Sequence, residues 1–484
     1  MALFAIKIGP CTDRWFKWKD HNPSSDLTTK MGNPELEKVD SAPSHNESDE
    51  SLPTYEHHVG PVGPHIQLHE QVFDIRDEKT GHPWVSLKVK SLAQSSTSLP
   101  VFEPGEDIVG SVELDLKEST TIHSVTLNIR GEVINPQNRV WKDEKQAFVS
   151  DSPFLNHVVV LFSHKGENAH GGHGKLEGHH KFPFRFKLPL TADVETSPGV
   201  TESFPLPAQF TERRAEASLN YTIACDISYG LIHKLASISK NFGVIPLHRP
   251  DPPSLLRQEA YSQGAPPPGP EVDPDGWFTM APAKIAGKVF HTEHAEITAV
   301  LSLAKPLVYT RTTHIPLHLV LTSPSKQALD LVANPEAIQI CLTRVVNAGH
   351  EARKKTDMKM GPQTQAQAQT MAIFWHSNDR EDSGDQDENK RIFEGEIRIK
   401  PDQAASSAYW HLVVRYHVCI LPFKVSGWEY HGKDWIAEQK VEIVVRLADG
   451  PHPVSYAPPG LTEPPLTDVK EWGDLSSLWV QVNI

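Results

Sequence analysis

A chain of 484 residues with 47 Lys and Arg against 61 Asp and Glu carries a net charge of −14, which argues against general binding to nucleic-acid phosphates. Its 38% hydrophobic content, mean hydropathy of −0.40 and 40 prolines fit a soluble protein with long unstructured segments, and no run approaches the roughly 18 apolar residues that cross a bilayer. Two domains with linkers are expected at this length. Four widely spread cysteines (Cys11, Cys225, Cys341, Cys419) make neither a disulfide framework nor a metal-ligand spacing, so a reducing, cytoplasmic setting is expected.

The opening MALFAIKIGPCTDRWFKWKD lacks the basic lead and small-residue cleavage site of a secretory signal. Its basic, aromatic stretch Arg14 to Lys19 reads as a partner-binding or inert tail, with an anionic membrane surface as the alternative. Residues 1–65 are expected to be a disordered leader: between Glu35 and Glu56 lie seven acids against one lysine.

From residue 66 the pattern turns to period 2. Val112, Leu114 and Leu116 alternate with polar neighbours, as do Val125, Leu127 and Ile129, then Phe182, Phe184, Phe186 and Leu188. The clearest case sets Leu219, Tyr221, Ile223, Cys225, Ile227 and Tyr229 on one face. Successive side chains of a strand point to opposite faces, so each segment predicts a half-buried strand, and many short ones between Gly, Pro and Asn turns predict a β-sandwich over 66–250. Gly131, ending one such run, reads as a bulge or turn, and Pro183 must face outward or sit on an edge.

Ten prolines between Pro246 and Pro282 predict a stiff linker over 251–280. A second sandwich is expected over 281–448. It carries the alternating sets Ile297 to Leu303, Ile315 to Leu321, Ile338 to Leu342, Trp410 to Ile420 and Val441 to Leu447. Within it, 347–369 and 376–390 read as long hairpin loops around a short apolar strand from Met371 to Trp375. The acid run Asp379 to Glu388 reads as a solvating loop, or else as a dock for a basic partner face. The tail 449–484, rich in proline and acids, is expected to be disordered. Its apolar end, Leu478 to Ile484, either returns to a sheet edge or stays loose.

The first-domain residues resemble the arrestin family, in particular the fungal α-arrestins. The pattern runs Val101-Phe102-Glu103-Pro104-Gly105-Glu106, Val109-Gly110-Ser111-Val112, and Ile122-His123-Ser124-Val125-Thr126-Leu127-Asn128-Ile129-Arg130-Gly131. Next come Phe182-Pro183-Phe184-Arg185-Phe186-Lys187-Leu188-Pro189 and Leu219-Asn220-Tyr221-Thr222-Ile223, closing at Phe242 and Pro246. The resemblance covers roughly residues 95 to 250, and the second domain matches only as a sandwich of suitable length. It implies an all-β fold: two arrestin-type, immunoglobulin-like β-sandwiches in tandem, with a disordered N-terminal leader and C-terminal tail.

It also implies a non-enzymatic adaptor without cofactor or metal, linking plasma-membrane transporters or receptors to a WW-domain HECT-type ubiquitin ligase for ubiquitin-dependent endocytosis and protein transport. Such a protein would be cytoplasmic, with peripheral recruitment to plasma membrane or endosomes and no nucleic-acid partner. The alternative is a retromer-like vesicle-sorting scaffold of the same fold without ligase recruitment.

The expected WW-domain-binding motif is Leu52, Pro53, Thr54 and Tyr55, a variant of the family's Pro-Pro-x-Tyr with leucine in the first place. Pro53 would fill the aromatic groove in polyproline conformation and Tyr55 a neighbouring pocket. The second interaction candidate is a histidine cluster, His164, His170, His173, His179 and His180, around a Gly-rich loop. It reads as a solvated hairpin loop, with a metal or pH-sensing role as the alternative. For catalysis there is no G-x-S-x-G, P-loop, H-E-x-x-H or C-x-x-C, and the carboxylates are scattered.

Overall fold

The computed structural model describes residues 68–135, 139–142, 147–150, 153–164, 174–212, 216–349, 352–353, 364–377, 388–432 and 435–466. They form almost entirely β-structure. The first set of strands is β1 (His69–Arg76), β2 (Pro83–Ser91), β3 (Val101–Phe102), β4 (Asp107–Ile134), β5 (Arg139–Lys142), β6 (Ala147–Ser150), β7 (Leu155–Ser163), β8 (Lys175–Lys187), β9 (Thr191–Ser197), β10 (Val200–Pro205), β11 (Phe210–Glu212), β12 (Ala217–Tyr229) and β13 (Lys234–Val244).

One strand organises this sandwich. The first half of β4, Asp107 to Leu116, pairs with β2 and β8. Its second half, from Ile122, pairs with β12 and β7. Between them Lys117, Glu118 and Ser119 are exposed, and the β4–β8 register shifts between Leu116 and Thr120. β4 thus bends from one layer, β1-β2-β4-β8, into the other, β7-β4-β12-β13. The alternation read from the sequence is the packing of this core: Leu219, Tyr221, Ile223, Cys225 and Ile227 of β12 are buried, as are Val125, Leu127 and Ile129 opposite them. Gly131, expected at a bulge or turn, lies instead within regular pairing, opposite Tyr221. A Cβ there would stand 2.5 Å from the Phe154 ring. Glycine serves the close approach of an aromatic ring, a tertiary demand that the strand pattern does not reveal.

The second set comprises β14 (Trp277–Thr279), β15 (Ala283–Val289), β16 (Glu293–Ala304), β17 (Val308–Thr310), β18 (His314–Thr322), β19 (Ile340–Ala348), β20 (Thr364–Met371), β21 (Ile373–His376), β22 (Lys390–Arg398), β23 (Ser407–Tyr409), β24 (Leu412–Ile420), β25 (Trp428–Tyr430) and β26 (Ala437–Val444). One sheet runs β21-β22-β18-β16-β15-β25, with β14 beside β16; the other runs β17-β26-β24-β19-β20, with β23 beside β24. Residues 364–369, read above as loop, belong to β20, which pairs with β19 from Asn347↔Thr364 to Cys341↔Met371. An edge strand can be held by backbone ladder bonds alone and needs no apolar alternation, so this run of glutamine and alanine reads as loop by pattern. Val445 and Leu447 fall beyond β26, and Leu447 is exposed.

Two helices complete the fold: α1 (Leu255–Gln263) and α2 (Lys326–Val332). α1 lies within the stretch expected as bare linker, and it is fastened down. Ser254 caps its N-terminus through the Arg257 amide and donates its hydroxyl hydrogen bond to Asp273. Arg257, 1% exposed, donates to the carbonyls of Lys305 (2.8 Å) and Gly276 (2.7 Å), with its guanidinium 5.0 Å from the Trp277 ring centroid. Asp273 lies 4.0 Å from it and also accepts from the Gly276 amide. A buried charge is tolerated only when its donors are paired, and these partners come from segments far apart in sequence. Part of the expected disordered tail is likewise placed: Ser455 donates to Glu396 at 2.7 Å, Glu463 pairs with Lys400 at 3.5 Å, and Leu466 packs on the cluster of Cys341, Val345, Met371, Cys419 and Leu421.

The sandwiches join through aromatic rings. Phe154 stacks edge-on to Tyr221 (5.5 Å) and lies 4.9 Å from Tyr409 of the second sandwich, which also meets Phe204 at 5.5 Å. At the rim, Arg344 pairs with Glu212 (2.5 Å), Arg353 with Glu202 (2.8 Å) and Arg446 with Glu103 (2.5 Å).

Replacing Arg257 with Met should destabilise the protein by about 2–4 kcal/mol, because it strands two carbonyls and leaves Asp273 without its cation. Urea denaturation checks this. A loss below about 1 kcal/mol would show that the clamp is dispensable.

Candidate functional site

The described residues offer no catalytic constellation, and no group of three or more His, Cys, Asp or Glu among them is arranged to hold a metal ion. What they do offer is an open strand edge. β8 pairs with β4 and with no other described strand, which leaves a row of main-chain donors and acceptors along its outer side.

The sequence positions β8 by its alternation. Phe182, Phe184 and Phe186 turn inward, Phe184 into the core, while Phe186 stacks on His157 of β7 at 4.3 Å and Phe182 meets Phe162 at 5.6 Å. The alternate residues Lys175, Glu177, His179, Lys181, Pro183, Arg185 and Lys187 are all exposed. Pro183 faces solvent on the edge, where a missing N–H costs no ladder bond, as its neighbours in sequence required. This outward row therefore holds four cations and one acid, on a chain whose net charge is −14. These exposed cations can meet an acidic partner, in competition with the acids that β4 sets opposite them.

Acids of the neighbouring strand β4 lie beside the row on the same face. Glu113 accepts from Lys88 at 2.7 Å and from Lys181 at 3.2 Å, and Asp107 lies 3.5 Å from Arg185. Burial alone would raise the Glu113 carboxyl. The hydrogen bonds from Lys88, Lys181 and Ser111 outweigh it and hold the group down at about 2. The same contact raises the Lys88 ammonium.

The sequence-predicted residues are not brought together by this edge. Leu52, Pro53, Thr54 and Tyr55 lie outside the described residues, as do His170, His173 and most of the acid run from Asp379. Of the histidine cluster, His179 and His180 alternate along β8, and His180 is 3.0 Å from the Glu177 carbonyl. His164 turns away, 3.0 Å from the His123 carbonyl, with its ring 5.1 Å from that of His123. His123 in turn stacks on His233 at 3.8 Å. The grouping the fold makes is His123 of β4, His164 just past β7 and His233 in the β12–β13 turn. No spacing in the sequence signals it.

Residues 93–226 match the family described as Arrestin (or S-antigen), N-terminal domain. The match runs from just before β3 to Asp226 near the end of β12 and so includes β4 and β8. The first sandwich thus carries an arrestin N-terminal domain. No curated protein matches it. An arrestin domain points to a trafficking adaptor. No helix among the described residues is long and apolar enough to cross a membrane.

Ionised Glu113 stabilises the native state at all pH values above the ordinary carboxylate range, since its folded pKa lies below the unfolded one. That contribution should disappear as pH falls from about 4.5 towards about 2. Thermal melts across this window should show a shallower acid decline for Glu113→Gln than for the natural chain. Identical slopes would remove Glu113 as the anchor of the basic row.

Proposed function

We propose that this chain is a non-enzymatic adaptor: it holds cytoplasmic tails of membrane transporters or receptors along β8 and recruits a WW-domain HECT-type ubiquitin ligase through Leu52 to Tyr55. The observation that carries the cargo half is the exposed basic edge, four cations in 13 residues of strand without a second neighbour among the described strands. An extended tail adding a strand there gains main-chain hydrogen bonds for affinity, while side chains at alternate positions meet the cationic row and set specificity. The preferred tail is acidic, by charge complementarity.

The ligase half is supported by the motif itself and by the family. The window from Glu35 to Glu56 around Pro53 and Tyr55, with seven acids against one lysine, has the composition of an unpacked segment in which such a motif can be read. Tethering the ligase on the molecule that holds the cargo raises the local concentration of acceptor lysines, so transfer becomes effectively intramolecular. Recruitment of the adaptor to plasma membrane or endosomes follows from where the cargo resides.

Two measurements separate the halves. A peptide spanning Ser51 to Glu56 should bind isolated WW domains, and Tyr55→Ala should weaken it by at least about tenfold, equivalent to about 1.4 kcal/mol. Equal binding by both peptides sinks the ligase arm. Charge reversal at Lys181, Arg185 and Lys187 together should abolish binding of an acidic, extended cargo-tail peptide to the full chain and leave WW recruitment unchanged. Undiminished binding of the tail would show that cargo sits elsewhere.

A further inference from the structure

Three of the four most exposed large apolar side chains among the described residues stand together, the fourth being Leu255 on α1. Leu231 is 93% exposed and Ile232 78%, at the tip of the β12–β13 hairpin, and Leu235 on its flank is 68% exposed. The polarity pattern of the hairpin places them: after Tyr229 the inward alternation ends, and Gly230-Leu231-Ile232-His233 forms the turn. Isolated exposed leucines are ordinary on protein surfaces. Three within five residues on a protruding turn form a concentrated apolar point.

This turn is held rather than loose. Gly230 (φ 76) and His233 (φ 50) take left-handed backbone conformations that reverse the chain. The Gly230 amide donates to the Thr121 carbonyl at 2.8 Å, and its carbonyl lies 2.7 Å from His123 Nε2. The His233 ring stacks on that of His123 at 3.8 Å, and His123 meets His164 at 5.1 Å. Behind them, the Ile122 amide donates to the Gly174 carbonyl at 2.8 Å. Three imidazoles and five main-chain groups therefore fix a base from which Leu231 and Ile232 project outward. Ordering is complete before any partner arrives, so a partner does not bear that entropy cost.

We propose that the Leu231–Ile232 tip is a membrane-insertion point, which seats the first sandwich in the interfacial layer of a bilayer. The two side chains are exposed over most of their surface, so a partner that buries them must close around them from several sides. A fluid acyl layer does this without a preformed socket, whereas a flat protein surface covers one side only. Lys234, next to the tip, and Lys175, at the start of β8 opposite Thr121, have long stems that can lie along the interface and place ammonium groups at headgroup level. Glu118 in the neighbouring bend is exposed and tempers that attraction, which leaves insertion of the aliphatic pair as the main contribution. Burying two or three such side chains gives reversible attachment, comparable with a single short acyl anchor at about 10⁴ M⁻¹. The inference is independent of ligase recruitment: it asks only whether this tip enters lipid.

The test is co-sedimentation of the full chain with vesicles of phosphatidylcholine and phosphatidylserine. The natural chain should partition measurably, and the double variant Leu231→Ser, Ile232→Ser should lose at least about tenfold of its partition coefficient. Because these side chains are exposed over most of their surface, the double variant should melt at the same temperature, which separates lipid binding from folding. Lys234→Glu should give a smaller loss that vanishes on pure phosphatidylcholine. Equal partitioning of the natural chain and the double variant, or no partitioning of either, overturns the proposal. Loss of WW-peptide binding by Tyr55→Ala bears on the adaptor reading and leaves this one untouched.

Discussion

The contact on which the rest of the architecture depends is the Phe154 ring lying on Gly131. A side chain at 131 would fill that space, and Phe154 could then reach neither Tyr221 nor Tyr409. Aromatic pairs at these separations add roughly 0.5–1.5 kcal/mol each beyond their buried area. The rim pairs Arg353–Glu202 and Arg446–Glu103 are more exposed and contribute less, but they fix the direction in which the sandwiches face. The consequence is one contiguous cluster of buried residues that runs through both sandwiches. The angle between them is therefore a property of the core, not of a flexible hinge.

Arg257 does for the connector what Phe154 does for the seam. Between β13 and β14 the chain has few apolar residues to bury, yet its path is defined because one guanidinium gathers carbonyls from Gly276 and Lys305 with the ring of Trp277. Replacing such a charge by a well-packed apolar group can be neutral in principle, so the stabilising role lies in the two carbonyls that the guanidinium satisfies and in its pairing with Asp273. The same logic places the chain past residue 449, where Glu463 and Leu466 bring a proline-rich stretch back onto the second sandwich.

These two devices also mark the limit of what a strand pattern can convey. Alternation identified β4, β8, β12, β16, β18 and β24 because each buries one face, and burial on one face leaves a period-2 trace. Gly131 left no such trace: its requirement comes from a ring on β7's approach, and in one dimension a glycine at the end of a run resembles a turn. Arg257 sat among prolines and read as linker chemistry, since its partners lie 19 and 48 residues away. β20 was invisible for the opposite reason: an edge strand held by backbone bonds needs no apolar face. The histidines that the sequence grouped by proximity, His164, His179 and His180, are separated by the fold, and His123 and His233, far apart in the chain, are stacked.

The geometry of the first sandwich ties its two proposed contacts together. β8 starts beside the bend of β4, where Lys175 pairs with Thr121, and ends at Lys187 opposite Asp107. The β12–β13 tip rises from that same bend, through the bond of Gly230 to Thr121, whereas the far end of β12 faces the second sandwich, with Tyr221 in the aromatic seam. With the tip in a bilayer, β8 runs away from the membrane for 13 residues, about 43 Å at strand rise. A cargo tail leaving the same bilayer then meets the basic edge at its membrane-proximal end and can extend along it without reversing direction. Membrane seating and tail capture would thus share one orientation, and each would lower the entropy cost of the other.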